Sequence, residues 1–186
     1  RGLGDVYKRQ LQQSIARRLD ALQPVVISFG KVEGGRAFNV IADRVRLLGT
    51  VRCLDVQLHA TLPGWIDETV QAICSSGGGS AQVHYRCIAP PVENNVALTD
   101  LMERCAVERL GSDCVVQVEQ PSLGAEDFAE LLRDVPGTML RLGVAGDEGC
   151  APLHHCRFQP DEQALEVGVK VLAATVLAWM DDRQAR

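Results

Sequence analysis

Four features that would place this sequence in a particular class of protein are missing from it. It has no excess of basic residues: 19 lysines and arginines against 24 acidic residues give a formal charge of −5, so the basic face that binds nucleic acid is not expected. Its seven cysteines are odd in number and scattered, which does not fit a disulfide framework and favours a reducing, cytoplasmic setting. The first residues lack the charged-then-apolar pattern of a secretory signal. The most apolar run, Ala164 to Met180, is interrupted by Glu166 and Lys170 and predicts a buried helix, not a membrane span.

The chain is long enough for a core, with 186 residues of which 46% are hydrophobic. Its first part reads as helix, two strands, helix, strand. The predicted elements are a helix over Leu11 to Leu22, strands over Val25 to Val32 and Asp43 to Leu54, a helix with Pro63 in its first turn, and a strand over Ala81 to Cys87. One more strand in front would complete a split βαβ sandwich, so the fold class predicted is α/β (α+β) with an incomplete ferredoxin-like βαββαβ domain.

The second part reads as the closing portion of a larger α/β domain. A proline- and asparagine-rich hinge, Ala89 to Asn95, precedes it. The elements predicted are helices near Ala97 to Leu110 and from Asp161 to about Asp181, and strands near Cys114 to Val118 and over Thr138 to Val144. The last helix has an apolar stripe predicted to face the core, made of Leu165, Val169, Leu172, Val176 and Trp179.

These patterns give a division into three parts. Residues 1–10, RGLGDVYKRQ, fit nothing that follows and look like translated sequencing-adapter sequence, so we expect a non-native leader; an ordinary polar helix start is the alternative. Residues 11–93 are expected to form the ferredoxin-like domain without its first strand. Residues 94–186 are expected to be the C-terminal part of the larger domain.

Two stretches of the second part could carry chemistry. Ser122 to Ala125 is predicted to open a helix whose first amides are free to hold an anion. His154 follows a predicted strand in the run Pro152-Leu153-His154-His155. Helix starts and loops at strand ends are where α/β enzymes keep their sites.

Several runs in order resemble one enzyme family. They are Gly34-Gly35-Arg36-Ala37-Phe38-Asn39-Val40-Ile41, Gly49-Thr50-Val51-Arg52, Gly124-Ala125-Glu126-Asp127-Phe128-Ala129, Val135-Pro136-Gly137, Leu142-Gly143 and Ala151-Pro152-Leu153-His154. Together they resemble the M20 metallopeptidases, and most closely their amidohydrolase branch, which includes hippurate hydrolases, N-acyl-amino-acid amidohydrolases and plant auxin-conjugate hydrolases. The resemblance covers nearly everything from Leu11 to Met180.

The resemblance implies a role for each of five residues. His154 would be a ligand to one of two divalent metal ions, zinc, manganese or cobalt, with His155 at most supporting it. Arg52, Gly124 and Ala125 would bind the substrate carboxylate, since an arginine fork matches a carboxylate in geometry. Asn39 would reach the partner subunit's active site and meet the substrate or the oxyanion. The ferredoxin-like domain would act as a lid and as the contact of a homodimer.

The activity implied is hydrolysis of the amide bond of N-acyl amino acids or small peptides by metal-activated water. The family's Cys-Gly-His turn, Glu-Glu pair and further metal-binding histidine do not occur in this sequence, so the chain by itself is expected to be inactive. Two other interpretations stay open. One is a non-catalytic dimerisation module, and the other is a small metal-binding protein that uses Cys150, His154, His155 and Cys156.

Overall fold

The computed structural model describes residues 3–19 and 23–184, so Leu22 of the predicted first helix lies outside the described residues. The described elements are α1 (Leu3–Arg18), β1 (Val25–Gly34), β2 (Val45–Cys53), α2 (Val56–Ser76), α3 (Val96–Leu110), a 3-10 turn (Ser112–Cys114), α4 (Phe128–Leu131) and α5 (Gln163–Gln184). The chain forms two compact units. The first is Arg1–Val92 with Pro121–Glu130, and the second is Glu93–Gln120 with Leu131–Arg186.

The first unit contains an antiparallel pair of strands, β1 and β2, as their alternating patterns predict. The register shifts between Phe29 and Lys31, so Gly30 is an extra residue on β1, a β-bulge. Opposite this bulge, Gly49 pairs with Phe29. A Cβ atom at Gly49 would lie 2.9 Å from Phe29 Cδ1 and would also collide with the Ser28 carbonyl oxygen. Only glycine therefore lets the two strands approach this closely.

Two helices cover one face of this strand pair. Leu11 and Ile15 of α1 pack with Ile66 of α2, and a second buried group joins Leu58 and Leu62 of α2 to Cys53 of β2. The α2 helix begins where Asp55 Oδ1 accepts a hydrogen bond from the Leu58 amide at 2.6 Å, the usual N-cap arrangement.

The starts of α1 and α2 differ from the sequence expectations. The prediction that Pro63 lies in the first turn of α2 is wrong: the helix starts at Val56 and Pro63 is interior, where its missing N–H costs the helix one hydrogen bond. Residues 3–10 of the expected leader are the first part of α1. Whether they are native stays a prediction.

The segment 81–87, predicted as a third strand, makes no strand pairing among the described residues. Its alternation is nevertheless present, because Ala81, Val83 and Tyr85 are half-buried while their neighbours are exposed. Val83 and Tyr85 pack on the cluster that contains Leu11 and Ile66. The segment therefore presents one face to the core as a strand would, without backbone hydrogen bonds to β1 or β2.

The second unit is built on α3 and α5. Met102 and Ala106 of α3 pack against Val171 of α5. The prediction that this apolar stripe is the core face of α5 is wrong. Its five side chains are 40% to 70% exposed, whereas Val171 and Thr175 are buried. The helix is apolar nearly all round, so periodicity alone did not identify the face that meets α3.

By length and composition, α5 is a helix that could cross a membrane, a test that core helices of soluble proteins also pass. Its Glu166 and Lys170 form an ion pair of 2.6 Å at i, i+4 spacing. The hydrogen bond from Lys170, with its charge, holds the pKa of Glu166 below its usual value.

The strands predicted near 114–118 and over 138–144 are not paired within the described residues. One side chain takes the place of a partner strand at Met139. Asn94 Nδ2 donates to the backbone carbonyl of Met139, and Asn94 Oδ1 accepts from the backbone amide of Met139, both at 3.0 Å. The backbone amide of the next residue, Asn95, donates to the Gly137 carbonyl at 2.8 Å. The Asn94 side chain thereby satisfies both backbone groups of one residue, and the predicted hinge is anchored to this segment.

Candidate functional site

Arg52 lies next to the segment that holds two other predicted binding residues. Its Nη1 donates a hydrogen bond of 2.7 Å to the carbonyl oxygen of Leu123, 71 residues away in sequence. Both residues belong to the first unit, because residues 121–130 cluster with that unit, whereas the sequence assigned all of 94–186 to the other domain. Arg52 is exposed on β2. A guanidinium has five N–H donors, so it can also meet an anion from solvent.

The segment from Ser122 to Glu126 is irregular and is not the start of a helix; only Asp127 lies in a turn. The predicted helix begins only at Phe128 and ends at Leu131. The Gly124 amide, expected to be free for an anion, donates to Ser122 Oγ at 3.0 Å. Serine hydroxyls compete in this way for nearby backbone amides. The Phe128 amide in turn donates to Glu126 Oε1 at 3.3 Å, which confines this carboxylate to the helix start.

Asn39 lies on the connection between β1 and β2, at the tip of this strand pair. The tip is a turn in which the Val40 amide bonds the Ala37 carbonyl at 3.3 Å. Its apolar side chains project away from the unit: Phe38 is 99% exposed and Ile41 78%. Asn39 itself is exposed. An apolar, exposed tip of this kind is the sort of surface that marks an interaction site.

His154 has an unusual backbone conformation. Among the described residues, His154 is the one residue other than glycine that has a positive φ, at 67°. The His155 amide bonds the Pro152 carbonyl at 3.1 Å, so His154 is the third residue of a β-turn, where positive φ normally calls for glycine or asparagine. Holding another residue there costs on the order of 1 kcal/mol. Backbone strain of this sort concentrates at functional sites.

The imidazole of His154 is exposed and suits a role as one metal ligand. Across residues 3–19 and 23–184, however, no group of three or more His, Cys, Asp and Glu could hold a metal ion. The Cys150 thiol donates instead to the Gln159 carbonyl at 3.0 Å, and His155 Nδ1 accepts from the Arg157 amide at 3.1 Å. The described part of the chain thus fits one ligand of a metal centre, and the four-residue Cys/His site receives no support.

The five predicted site residues fall into both units. Asn39, Arg52, Gly124 and Ala125 belong to the first unit, and His154 to the second. Within the first unit the structure brings Arg52 to the residue before Gly124. Sequence reasoning missed the part played by Ser122, although a serine two residues before a glycine is a known turn signal.

The chain matches one family model and several known proteins. The model of Peptidase family M20/M25/M40 matches residues 7–178. A protein of Synechocystis sp. named as a probable hydrolase is 46% identical over 171 residues, which are 91% of this chain and 43% of that protein. The N-acetyldiaminopimelate deacetylase of Priestia megaterium is 32% identical over 163 residues, 88% of this chain and 42% of the deacetylase. The chain therefore spans less than half the length of these relatives.

Solved structures agree on the fold. The crystal structure of a protein described as an aminohydrolase, from methicillin-resistant Staphylococcus aureus, matches with a TM-score of 0.84 and 26% identity over 95% of this chain and 46% of that one. The YxeP protein of Bacillus subtilis, described as a dinuclear metal-binding peptidase, matches with a TM-score of 0.78 and 24% identity, over 95% of this chain and 45% of that one.

Proposed function

The chain belongs to peptidase family M20/M25/M40, and on that premise we propose that it is part of an amidohydrolase that cleaves N-acyl amino acids beside a free carboxylate. The observation that carries the proposal is the hydrogen bond from Arg52 to Leu123. It brings the arginine to the residue before Gly124 and Ala125, and the family resemblance implies that all three bind the substrate carboxylate. A bidentate pair with the remaining guanidinium donors would fix both the charge and the orientation of that carboxylate.

The substrate class has support from a relative. The Priestia megaterium protein is named for removing an acetyl group from the amino acid diaminopimelate, and N-acetyl amino acids present a free carboxylate close to the amide that is cleaved. Recognition of that carboxylate by a cation and polar backbone groups would place the amide at a constant distance from Arg52. The acyl group would then be free to vary.

Two divalent metal ions would supply an activated water and polarise the amide carbonyl; the B. subtilis protein is described as a dinuclear metal-binding peptidase. His154 is the residue of this chain that we assign as a ligand to one of them. Its strained turn holds the imidazole on an exposed loop in a set backbone orientation. The other ligands would come from parts of the longer protein that this chain does not include, and the chain by itself would not turn over substrate.

The first unit would serve as the lid domain and as the contact of a cytoplasmic homodimer. The outer edge of β1 is unpaired among the described residues, and such an edge pairs readily across a two-fold axis. The exposed tip that carries Phe38 would reach the second subunit, with Asn39 meeting the substrate oxyanion there. Sedimentation of the chain should detect dimers; monomer alone at tens of micromolar would count against this assignment.

The lid would be completed by one more strand. In a split βαβ unit the two parallel strands joined by a helix leave room for a third strand between them. Here β2, α2 and the segment 81–87 have that order, and the segment is extended, turned to the core and unpaired in the described chain. A strand preceding α1 in the longer protein would fill the gap, giving the ferredoxin-like lid.

The test is hydrolysis by the longer protein that contains this chain. Release of free amine would be measured with an N-acetyl amino acid and with its carboxamide, each with added manganese, zinc or cobalt. We expect metal-dependent release that strongly favours the free carboxylate. No hydrolysis, or equal rates for acid and carboxamide, would refute the proposal. The 186-residue chain is the matched control, and sustained turnover by it would contradict the assignment of the missing ligands.

A further inference from the structure

A thiol and an imidazole are paired in the first unit, away from the residues assigned to the hydrolase site. Cys87 Sγ lies 3.7 Å from His59 Nε2, within hydrogen-bond distance for sulfur. His59 is near the start of α2, and Cys87 ends the extended segment 81–87 that follows this helix. The cysteine is exposed, so a reagent in solution can reach its sulfur.

A thiol reacts as a nucleophile through its thiolate, and a neighbouring imidazole promotes the thiolate by taking the proton. We propose that Cys87 is a reactive thiol, with His59 as its proton acceptor, and that it is a modification site for soft alkylating electrophiles. The proposal is independent of the hydrolase function, because it concerns residues that this function does not use.

Two other acidic groups of the same unit, Tyr85 and Cys53, have raised pKa values and keep their protons. Burial, followed by the thiolate charges of Cys53 and Cys87, raises the pKa of Tyr85, so its phenol stays neutral at physiological pH. Burial and the charge of Asp55 raise the pKa of Cys53, whose thiol also donates to the Asp55 carbonyl at 3.7 Å. Of these neighbouring groups, Cys87 is therefore the one that is both accessible and paired with a base.

The chain supplies its own reference thiols. Cys114 and Cys156 are exposed as Cys87 is, and within residues 3–19 and 23–184 neither has a histidine as hydrogen-bond partner. Cys156 follows His155 directly, but His155 Nδ1 accepts from the Arg157 amide. Exposure alone therefore predicts similar rates for the three cysteines, while the proposed pair predicts a faster rate for Cys87.

The reaction with iodoacetamide is a simple displacement. The Cys87 sulfur forms a bond to the reagent's methylene carbon, and the carbon–iodine bond breaks as iodide leaves with its electron pair. The thiol proton passes to His59 Nε2 and then to water. No oxidant or other co-reactant is needed.

The experiment is time-resolved alkylation of the native 186-residue chain with limiting iodoacetamide at neutral pH, followed by mass spectrometry of each cysteine peptide. We expect Cys87 to react about fivefold or more faster than Cys114 and Cys156. His59→Gln should reduce the Cys87 rate to that of the reference thiols and leave theirs unchanged. His84→Gln, an exposed histidine on the same segment, is the matched control and should have no effect.

Three results would overturn the proposal. Cys87 could react no faster than the reference thiols, or His59→Gln could leave its rate unchanged. In concentrated urea the advantage of Cys87 should disappear, because the pair exists only in the folded chain; an advantage that persists there would come from local sequence instead. The urea comparison uses the wild-type chain, so it holds even if the His59 variant folds poorly.

Discussion

The Arg52 guanidinium donates a 2.7 Å hydrogen bond to the Leu123 carbonyl and so joins β2 to a turn segment 71 residues further along the chain. The Gly124 amide of this segment bonds Ser122 Oγ, within the segment itself. Arg52 thus connects this segment to the strand pair, and removing its side chain should loosen the segment.

Arg52→Ala should loosen residues 121–127 of this chain. A hydrogen bond from a charged donor at an exposed position contributes about 1 kcal/mol, so amide exchange in these peptides should become roughly fivefold faster. Hydrogen exchange with mass spectrometry measures it. Arg46→Ala is the control, because Arg46 lies on the same strand and pairs with Glu33 of β1 at 3.9 Å. Equal exchange in both variants would mean that the bond does not hold the turn.

Gly49→Ala should destabilise the first unit. The new Cβ would lie 2.9 Å from Phe29 Cδ1 and collide with the Ser28 carbonyl, and overpacking of this kind costs about 1–3 kcal/mol. Gly30→Ala is the matched control on the opposite strand, since a Cβ there meets nothing within 4 Å. Urea denaturation should show a lower midpoint for Gly49→Ala only. Similar midpoints for the two variants would contradict the close approach of the strands.

The chain should lose stability as the pH rises above about 9, the ordinary pKa of a thiol. Burial raises the pKa of the Cys53 thiol in the folded state, so the folded chain keeps this proton while the unfolded chain releases it. This stabilising contribution is fully present below the unfolded pKa and is lost as the pH passes through the folded one. Cys53→Ala should therefore show a shallower decline in free energy of unfolding between about pH 8 and 10. An unchanged slope would show that Cys53 does not contribute.

His154→Ala in the longer protein should lower metal content and nearly abolish turnover. A direct ligand sets the charge and position of the metal, whereas a neighbour acts through packing or orientation. His155→Ala is the control and should do far less, because His155 Nδ1 is engaged with the Arg157 amide. Metal analysis by mass spectrometry distinguishes them. Equal metal loss in both variants would remove His154 from the ligand set.

Local patterns predicted what local interactions determine. The helix predicted near Ala97 to Leu110 is α3, which begins where Asn95 accepts a hydrogen bond from the Leu98 amide. The matching cap of α2, in which Asp55 accepts from the Leu58 amide, is missed when Pro63 is placed in the first turn. The alternation over 25–34 and 45–53 likewise gives strands, because one face is buried and the other exposed. These elements need no distant information.

Other features depend on partners that a local pattern cannot identify. The apolar residues of α5 surround the helix, so its contact with α3 through Val171 could not be chosen by periodicity. The segments 81–87 and 138–144 have strand-like sequences, but strand pairing requires a neighbouring strand, and one residue of the latter, Met139, is instead satisfied by Asn94. The hydrogen bond between Arg52 and Leu123 is equally long-range. Only the resemblance to a family predicted a shared role for Arg52, Gly124 and Ala125, because periodicity carries no information on contacts between distant segments.

The central claim, that Arg52 and the 121–127 turn receive a substrate carboxylate, is tested most directly by steady-state kinetics of the longer protein with an N-acetyl amino acid. Arg52→Ala should raise KM by about tenfold, with metal content unchanged, because it removes binding shared by the ground and transition states. Arg46→Ala should leave KM unchanged. Hydrolysis of the carboxamide of the substrate should be unaffected by either substitution. An Arg52 variant with unaltered KM, or one that loses metal, would contradict the account.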